Sequence, residues 1–164
     1  MAQFINLKDL VNTSGAVALN ESPDHPLRPE LLRDPQCELT LESDADEELL
    51  LFVPFSQCVR INSLALRAVV GSGPKRVAVF ANGRGLSFDD VQALKPTQVL
   101  DLGPADVRDG TQIKLNYHEF QKIDCVTLYI SQNQDDDDVT ALSSVAFFGS
   151  PHGVMNVNEI QKRG

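Results

Sequence analysis

Apolar and polar positions follow the two-residue period of β-strands over most of the chain. From residue 38 onward, alternating or continuously apolar runs are separated by turn-forming residues at intervals of about ten positions, which is typical of an all-β sandwich. The pattern predicts eight strands, at residues 39–41, 49–55, 59–70, 76–81, 98–102, 112–117, 126–132 and 142–148. We therefore expect an all-β fold arranged as an antiparallel β-sandwich.

Two smaller features refine this prediction. Within residues 59–70 the alternation slips in phase between Ile61 and Leu64, and a β-bulge there would return the apolar side chains to one face. Ser87, with Asp90 three positions later, indicates a capped helical turn. Other short helical turns are predicted at residues 4–11 and 28–34. Because no strand is regularly followed by a helix of about ten residues, a doubly wound parallel sheet is disfavoured.

The chain has the size and composition of one domain. It has 164 residues, of which 42% are apolar, and this is enough material for a core of its own. The prediction is a single domain at residues 1–150, in which a sandwich at 38–150 follows a loop and short helices at 1–37. Residues 151–164 are polar and are predicted to form a tail. No internal repeat is visible, and we expect a monomer.

The charge of the chain excludes some partners. Lys and Arg number 14 against 23 Asp and Glu, which gives a formal charge of −9, and phosphate backbones and anionic lipids are bound through the opposite sign. We therefore expect neither a nucleic acid nor a membrane as partner. No apolar run reaches the roughly 18 residues of a membrane span, and residues 1–6 lack the features of a signal peptide. Cys37, Cys58 and Cys125 form no Cys-x-x-Cys pair, which is typical of reduced thiols in the cytoplasm or nucleus.

No local motif predicts an enzyme. The glycine-rich segment at residues 71–75 is followed by Arg76, where a phosphate-binding loop needs a hydroxyl residue, so a turn between strands explains it better. A Gly-x-Ser-x-Gly elbow is absent, and neither the cysteines nor His25, His118 and His152 come at the spacing of zinc ligands. The sequence thus predicts a non-catalytic protein without a cofactor.

Calcium is the more serious metal candidate. Carboxylates crowd residues 42–48 and 135–138, and oxygen ligands of this kind are the ones that calcium takes. The glycine of an EF-hand loop is missing, however, and consecutive aspartates are more often a solvated acidic loop. With no Trp and two Tyr, few side chains are available to stack on a sugar. Binding of calcium, a carbohydrate or another small ligand stays open as an alternative function.

One long segment resembles the signature of a known family. In residues 41–55, Leu-Glu-Ser-Asp begins an acidic turn that leads into an apolar strand ending in Pro-Phe. This order resembles the proteasome-interacting thioredoxin (PITH) domain family, and the likeness continues along nearly the whole chain, as in Gly-Pro-Lys-Arg-Val at 73–77 and Phe-Phe-Gly at 147–149. Some family members carry a thioredoxin domain before this domain, and others consist of it alone. Phe-Ile-Asn at 4–6 and the Lys-Arg tail look most like the longer kind.

The resemblance implies a fold and a role, and physical reasoning on charge and exposure adds a set of contact residues. It implies a jelly-roll β-sandwich similar to galactose-binding domains, and an adaptor that binds the regulatory particle of the 26S proteasome. Exposed loops and tails of such a module are the parts that contact a large partner. The residues expected to do so are Glu42, Asp44, Asp46, Glu47, Asp135, Asp136, Asp137, Asp138, Met155, Asn156, Lys162 and Arg163. For residues 42–47, a purely structural role in turn hydrogen bonds is an equal alternative.

Overall fold

The protein is built almost entirely from antiparallel strands. A computed structural model describes residues 4–69 and 71–152. The strands are β1 (Ile5–Asn6), β2 (Val17–Leu19), β3 (Leu41–Glu42), β4 (Leu49–Arg67), β5 (Pro74–Ala81), β6 (Gln98–Asp101), β7 (Ile113–Lys114), β8 (Ile123–Asn133), β9 (Ala141–Leu142) and β10 (Ser144–Pro151). The helices are α1 (Pro29–Arg33), α2 (Phe88–Ala93) and α3 (Pro104–Asp109), with turns of 3-10 helix at Leu7–Leu10, Thr13–Gly15 and Tyr117–Glu119. The predicted all-β class with short helical turns is confirmed.

Strand β4 is the centre of the architecture. Its first half pairs with β2 on one side and with β8 on the other, and β8 continues to β5 and β6. Its second half pairs with β10 and β7, and β10 also carries β1. The pairing with β8 is irregular between Pro54 and Val59, where Pro54 has no N–H to donate. Because β4 takes part in both sets of pairings, the eight strands are hydrogen-bonded into one continuous network. We call β2, the first half of β4, β8, β5 and β6 the first sheet of the sandwich, and the second half of β4 with β7, β10 and β1 the second sheet.

The sequence pattern wrongly divided this strand into two, at residues 49–55 and 59–70. Ser56 and Gln57 are exposed and interrupt the apolar run, so they resemble a turn in the sequence. In the structure they keep the extended conformation of β4. The strand ends at Arg67, three residues before the predicted end. The next residue leaves the sheet, because the N–H of Ala68 donates to the carbonyl of Val107 in α3 (2.9 Å).

One hydrophobic core lies between the two sheets. Leu51 and Leu128 from the first sheet, and Leu64 and Phe147 from the second, belong to one contiguous cluster and are at most 2% exposed. Phe147 meets Phe55 edge to face, with the ring centroids 5.4 Å apart. Close packing of apolar side chains from both sheets holds the two layers together.

The bulge predicted between Ile61 and Leu64 is present. Phe148 and Gly149 are consecutive in β10 and pair with Ser63 and Ile61 of β4. Asn62, which lies between those two residues, therefore has no partner in β10. Gly149 lies at this point, where a β-carbon would overlap the carbonyl oxygen of Arg60 and stand 2.8 Å from its carbonyl carbon. The bulge lets the apolar side chains on both sides of it face the core.

The capped turn predicted at Ser87 is confirmed as the start of α2. The hydroxyl of Ser87 accepts the N–H of Asp90 (3.2 Å), and the Asp90 carboxylate accepts the N–H of Ser87 (2.9 Å), which satisfies two free donors at the helix start. The turns predicted at 28–34 and within 4–11 correspond to α1 and to a 3-10 turn. None of the helices in residues 4–69 and 71–152 is long and apolar enough to cross a membrane.

Several short elements differ from the prediction. Strands β1 and β2 lie in the segment predicted as loop and short helices, because two or three residues are too few for an alternating pattern to show. Helix α3 was also missed, although Pro104 at its first position and Gly110 after it, with φ of 65°, are typical helix boundaries. The strand predicted at 112–117 is reduced to β7, and Tyr117 begins a 3-10 turn.

Candidate functional site

The acidic residues at 42–48 (the acidic turn), which include the first predicted contact segment at 42–47, are held in place by Asn20. This residue directly follows β2 and has a left-handed backbone with φ of 68°, which Asn tolerates better than most residues. Its amide nitrogen donates to Oδ1 of Asp46 (2.9 Å) and to the carbonyl of Glu48 (2.7 Å). Its Oδ1 accepts the N–H of Ala45 (3.1 Å). The turn is therefore ordered by a side chain that is remote in sequence.

The second segment, residues 135–138 (the acidic loop), is held by Asn133 in a similar way. Asn133 is 1% exposed. Its amide nitrogen donates to the carbonyl of Asp137 (2.9 Å), and its Oδ1 accepts the Asp137 N–H (2.7 Å). The hydroxyl of Ser72 also donates to the Asp137 carboxylate (3.2 Å). These bonds fix the path of the four consecutive aspartates.

Buried polar groups join the two segments. The N–H of Thr140 donates to the hydroxyl of Ser43 (2.9 Å), and the N–H of Ser43 donates to the Thr140 carbonyl (2.9 Å). The Thr140 hydroxyl donates to the carbonyl of Glu47 (2.6 Å) and accepts from the amide of Asn133 (3.2 Å). The structure thus places the acidic turn beside the acidic loop, and the two together are called the acidic corner.

The carboxylates of the acidic corner are mostly without cationic partners. The ion pairs among the described residues join His25 to Glu42 (3.9 Å), Arg76 to Asp101, and Arg108 to Asp109. Only Glu42 of the corner is therefore paired there, and only when His25 is protonated. No group of three or more His, Cys, Asp or Glu in this part of the chain is placed to hold a metal ion. The geometry adds no support for calcium, and the corner presents a negative field to cationic partners.

The contact role of these acidic residues stays a prediction. The structural alternative for residues 42–47 has direct support, because Asp46 and Glu47 both accept hydrogen bonds that order the turn. Those bonds leave the charges available, since Glu47 accepts through its backbone carbonyl and the Asp46 carboxylate has about four acceptor positions. The predicted contacts Met155, Asn156, Lys162 and Arg163 lie outside the residues that the structure describes.

A second surface, which the sequence analysis did not single out, lies beside the acidic turn. Val17 and Leu19 of β2 stand opposite Phe52 and Leu50 of β4, so these side chains share the sheet face that points away from the core. An open groove of about 460 Å³ (the apolar groove) lies over them and is lined by Val17, Leu19, Leu50, Phe52, Gly85, Leu86, Ser87 and Thr127. Its signal in the sequence is the continuously apolar run at 49–55, which is typical of a strand that is apolar on both faces.

A polar cluster closes the end of this face near the acidic turn. The hydroxyl of Tyr129 donates to the carboxylate of Glu48 (2.9 Å), and the Gln92 amide donates to the Tyr129 oxygen (3.4 Å). Burial raises the pKa of the Tyr129 phenol above its usual value, the bond from Gln92 lowers it in part, and the Glu48 carboxylate raises it further. The phenol therefore keeps its proton into alkaline solution.

The raised pKa of Tyr129 should make stability fall at high pH. The unfolded chain loses this proton at a pKa of about 10, whereas the folded protein retains it. The unfolded state then binds fewer protons, so the free energy of unfolding decreases as the pH rises above about 10. Tyr129→Phe should lower stability at neutral pH by about 1 kcal/mol, for the lost hydrogen bond, and should make the alkaline decline shallower.

Urea unfolding at a series of pH values tests this expectation. The matched control is Tyr117→Phe, because the Tyr117 side chain is 65% exposed and its loss should leave both the stability and the alkaline decline unchanged. A decline in Tyr129→Phe that is as steep as in the parent chain would contradict the assignment to Tyr129.

Among the described residues, no Ser or Cys side chain is hydrogen-bonded to a histidine. Cys37 and Cys125 are buried, Cys58 is half-buried, and all three are free thiols. Burial raises the pKa of the Cys125 thiol, which disfavours the reactive thiolate. The hydrogen bonds that these Ser and Cys side chains donate are accepted by backbone carbonyls or by Asn, Gln and Asp side chains. The Ser–His or Cys–His pairing that activates a nucleophile for covalent catalysis is thus not formed in that part of the chain.

Comparisons with known sequences agree with this architecture. The family model of the PITH domain matches residues 1–163. The chain belongs to the PITH domain family. Thioredoxin-like protein 1 of Schizosaccharomyces pombe is 30% identical over 164 residues, which cover 97% of this chain and 56% of that protein. PITH domain-containing protein 1 of Danio rerio is 30% identical over 94 residues, which cover 57% of this chain and 44% of that protein. This PITH domain spans about half the length of these relatives.

Solved structures that resemble this PITH domain include carbohydrate-binding modules. The family 32 module of NanJ from Clostridium perfringens, solved with galactose, has a TM-score of 0.63 and 8% identity, and the match covers 89% of this chain and 99% of that one. Modules of ZmpB from the same organism, solved with GalNAc, give a TM-score of 0.65 and 11% identity, with 87% and 35% coverage. The predicted galactose-binding-like jelly roll is confirmed. At this level of identity the likeness concerns the fold alone.

Proposed function

We propose that this PITH domain is a non-catalytic adaptor that binds the regulatory particle of the 26S proteasome. The observation that carries the proposal is the family match over residues 1–163, since the family is named for an interaction with the proteasome. The acidic corner adds a physical means of contact, because it displays ordered carboxylates on a rigid sandwich.

The acidic corner suits a basic surface on the partner. The ordered backbone of the acidic turn and of the acidic loop keeps the carboxylates of the corner close together. Of these carboxylates, only that of Glu42 has an ion-pair partner within the described residues. Such a field steers association and makes the association rate fall as salt is added. Each exposed pair formed with the partner contributes about 0.2–1 kcal/mol, so affinity from this source needs several contacts at once.

The direct test is binding of the tagged chain to purified 26S proteasome, measured at low and at physiological salt. We expect binding that weakens as salt rises. The variant D135N/D136N/D138N removes three charges and leaves Asp137, which accepts a bond from Ser72 and donates to Asn133. It should bind about tenfold more weakly, which corresponds to three surface pairs of about 0.5 kcal/mol each.

The matched control for that variant is D9N/E38Q/D124N, which changes the net charge equally at exposed positions outside the acidic corner. If both variants lose affinity equally, general charge rather than the corner is responsible. A parallel measurement uses the chain ending at His152, since a loss of binding there would place the contact in the predicted tail. A parent chain that does not bind the proteasome at any salt concentration refutes the proposed function.

The alternative, a module for a carbohydrate, another small ligand or calcium, is compatible with the jelly-roll fold. The structures that share this fold include modules solved with galactose and GalNAc. A rise of Tm that depends on the concentration of galactose or Ca²⁺ would favour this alternative, because a ligand that binds only the folded state stabilises it.

A further inference from the structure

The outer face of the first sheet is apolar across several strands. Antiparallel pairing sets Leu19 opposite Leu50, and Leu50 opposite Tyr129, and these side chains belong to a second apolar cluster. The intervening residues Leu51 and Leu128 point into the core. Strands apolar on both faces are typical of sheets that are covered on both sides. A cover is therefore expected over this outer face.

Helix α2 and the segment before it provide only half of that cover. Phe88 packs edge to face on Tyr129, with ring centroids 6.2 Å apart, and Val91 is buried with Phe80 in this second apolar cluster. The other half, over β2 and the start of β4, is the apolar groove, and Val17 on its floor is 48% exposed. An open apolar face next to a covered one marks a place for an additional apolar element.

The groove ends in negative charge. A second hollow of about 370 Å³ is lined by Asn20, Asp46, Glu48, Phe88 and Gln92. It lies next to the groove, because Asn20 and Phe88 directly follow the groove residues Leu19 and Ser87. Oδ1 of Asp46 accepts bonds from Asn20 and from the N–H of Glu48. Neither carboxylate forms an ion pair among the described residues. A ligand that lies along the groove therefore meets apolar side chains first and unpaired carboxylates at its end.

We propose that the apolar groove binds a segment of a partner protein in which apolar side chains are adjacent to a Lys or Arg. The apolar side chains would cover Val17, Leu19 and Phe52, and the cation would reach Asp46 and Glu48. A second copy of the chain fits less well, because it has a charge of −9 and its own acidic turn would approach this one. The same field disfavours an anionic membrane.

The inference rests on the proposed function and deepens it by giving the chemistry of the bound segment. Its test uses peptides and does not require the proteasome. A phage-displayed library of random 12-residue peptides is selected on the immobilised full chain, and affinities of enriched peptides are measured by fluorescence anisotropy. We expect enriched peptides to combine two or more large apolar residues with an adjacent Lys or Arg. No enrichment, or enrichment of acidic peptides, overturns the inference.

Two variants place the bound peptide. Val17→Lys puts a charge on the groove floor and should weaken binding about tenfold or more, as expected when a buried apolar contact is lost. Its matched control is Val69→Lys, at a side chain that is 72% exposed, and this should bind normally. Asp46→Asn keeps the acceptor for Asn20 but removes the charge, and should weaken binding about two- to fivefold, the range of an exposed ion pair.

Other occupants give different results. If Val17→Lys and Val69→Lys bind the peptides equally, the groove is not the site and the inference fails. It also fails if sedimentation shows a dimer that Val17→Lys abolishes. It fails as well if the chain ending at His152 binds the selected peptides at least tenfold more tightly than the full chain, because the groove would then hold the chain's own residues 153–164. Proteasome binding that survives Val17→Lys would leave the proposed function intact, so the two failures are distinguishable.

Discussion

Replacing Gly149 by alanine should unfold the protein under conditions in which the parent chain is stable. A methyl group at this position would overlap the Arg60 carbonyl across the β4–β10 ladder. The obstacle is backbone rather than a movable side chain, so β10 must separate from β4 next to the bulge at Asn62. Overpacking costs about 1–3 kcal/mol, and we expect about 3 kcal/mol or more here because ladder hydrogen bonds are lost as well.

The matched control is Gly85→Ala. Gly85 has φ of 63°, and a β-carbon there would meet no other atom within 4 Å, so only the left-handed backbone is penalised, by about 1 kcal/mol. Urea unfolding followed by circular dichroism gives both free energies. Equal losses in the two variants would mean that β10 can shift freely, and would contradict the close approach at Gly149.

Replacing Asn133 by aspartate should destabilise the protein by about 3 kcal/mol or more, in the range for burying an unpaired charge. The amide nitrogen of Asn133 donates to the carbonyls of Asp137 and Val139 and to the hydroxyl of Thr140. A carboxylate oxygen at that position would face three oxygen atoms and could donate to none. It would also stand beside the acidic loop, so the folded state would be penalised by repulsion between like charges.

The pH dependence separates this mechanism from simple loss of packing. Protonation of the introduced carboxyl group restores one donor and removes the charge, so the deficit relative to the parent chain should shrink as the pH falls towards about 4, the usual pKa of an aspartate. Asn12→Asp is the matched control, because Asn12 is exposed and its Oδ1 accepts a hydrogen bond from the Ser14 hydroxyl. A carboxylate oxygen can accept the same bond. It should change stability by less than about 0.5 kcal/mol, and a deficit in Asn133→Asp that does not depend on pH would argue against buried charge.

The parts of the fold that could be predicted are those with local signals. Alternation over long runs found β4, β5, β8 and β10, the phase slip located the bulge near Asn62, and Ser87 with Asp90 located the start of α2. Strand β2 could not be found in this way, because its three residues acquire their conformation from pairing with β4. The division of β4 was wrong because exposed Ser56 and Gln57 resemble a turn when their neighbours in space are unknown.

The candidate site was predicted in its residues but not in its arrangement. The clusters of carboxylates are visible in the sequence, whereas the bonds that set them side by side run from Thr140 to Ser43 and Glu47, and the bonds that order them come from Asn20 and Asn133. Such contacts between remote positions leave no local pattern. The apolar groove was not predicted, because the continuously apolar run at 49–55 indicates a strand that is buried on both faces. The run carries no sign that α2 covers only part of the outer face.

The pairing of β1 with β10 joins Ile5 to Gly149, and this has a consequence for synthesis on the ribosome. Chains elongate at about 5–20 residues per second, so β1 is made roughly 7–30 seconds before the strand it pairs with. During that time the second half of β4 also lacks β10, and an unpaired strand edge can associate with other chains. Two strand edges of the nascent protein therefore stay open until residues 144–151 emerge and complete the second sheet.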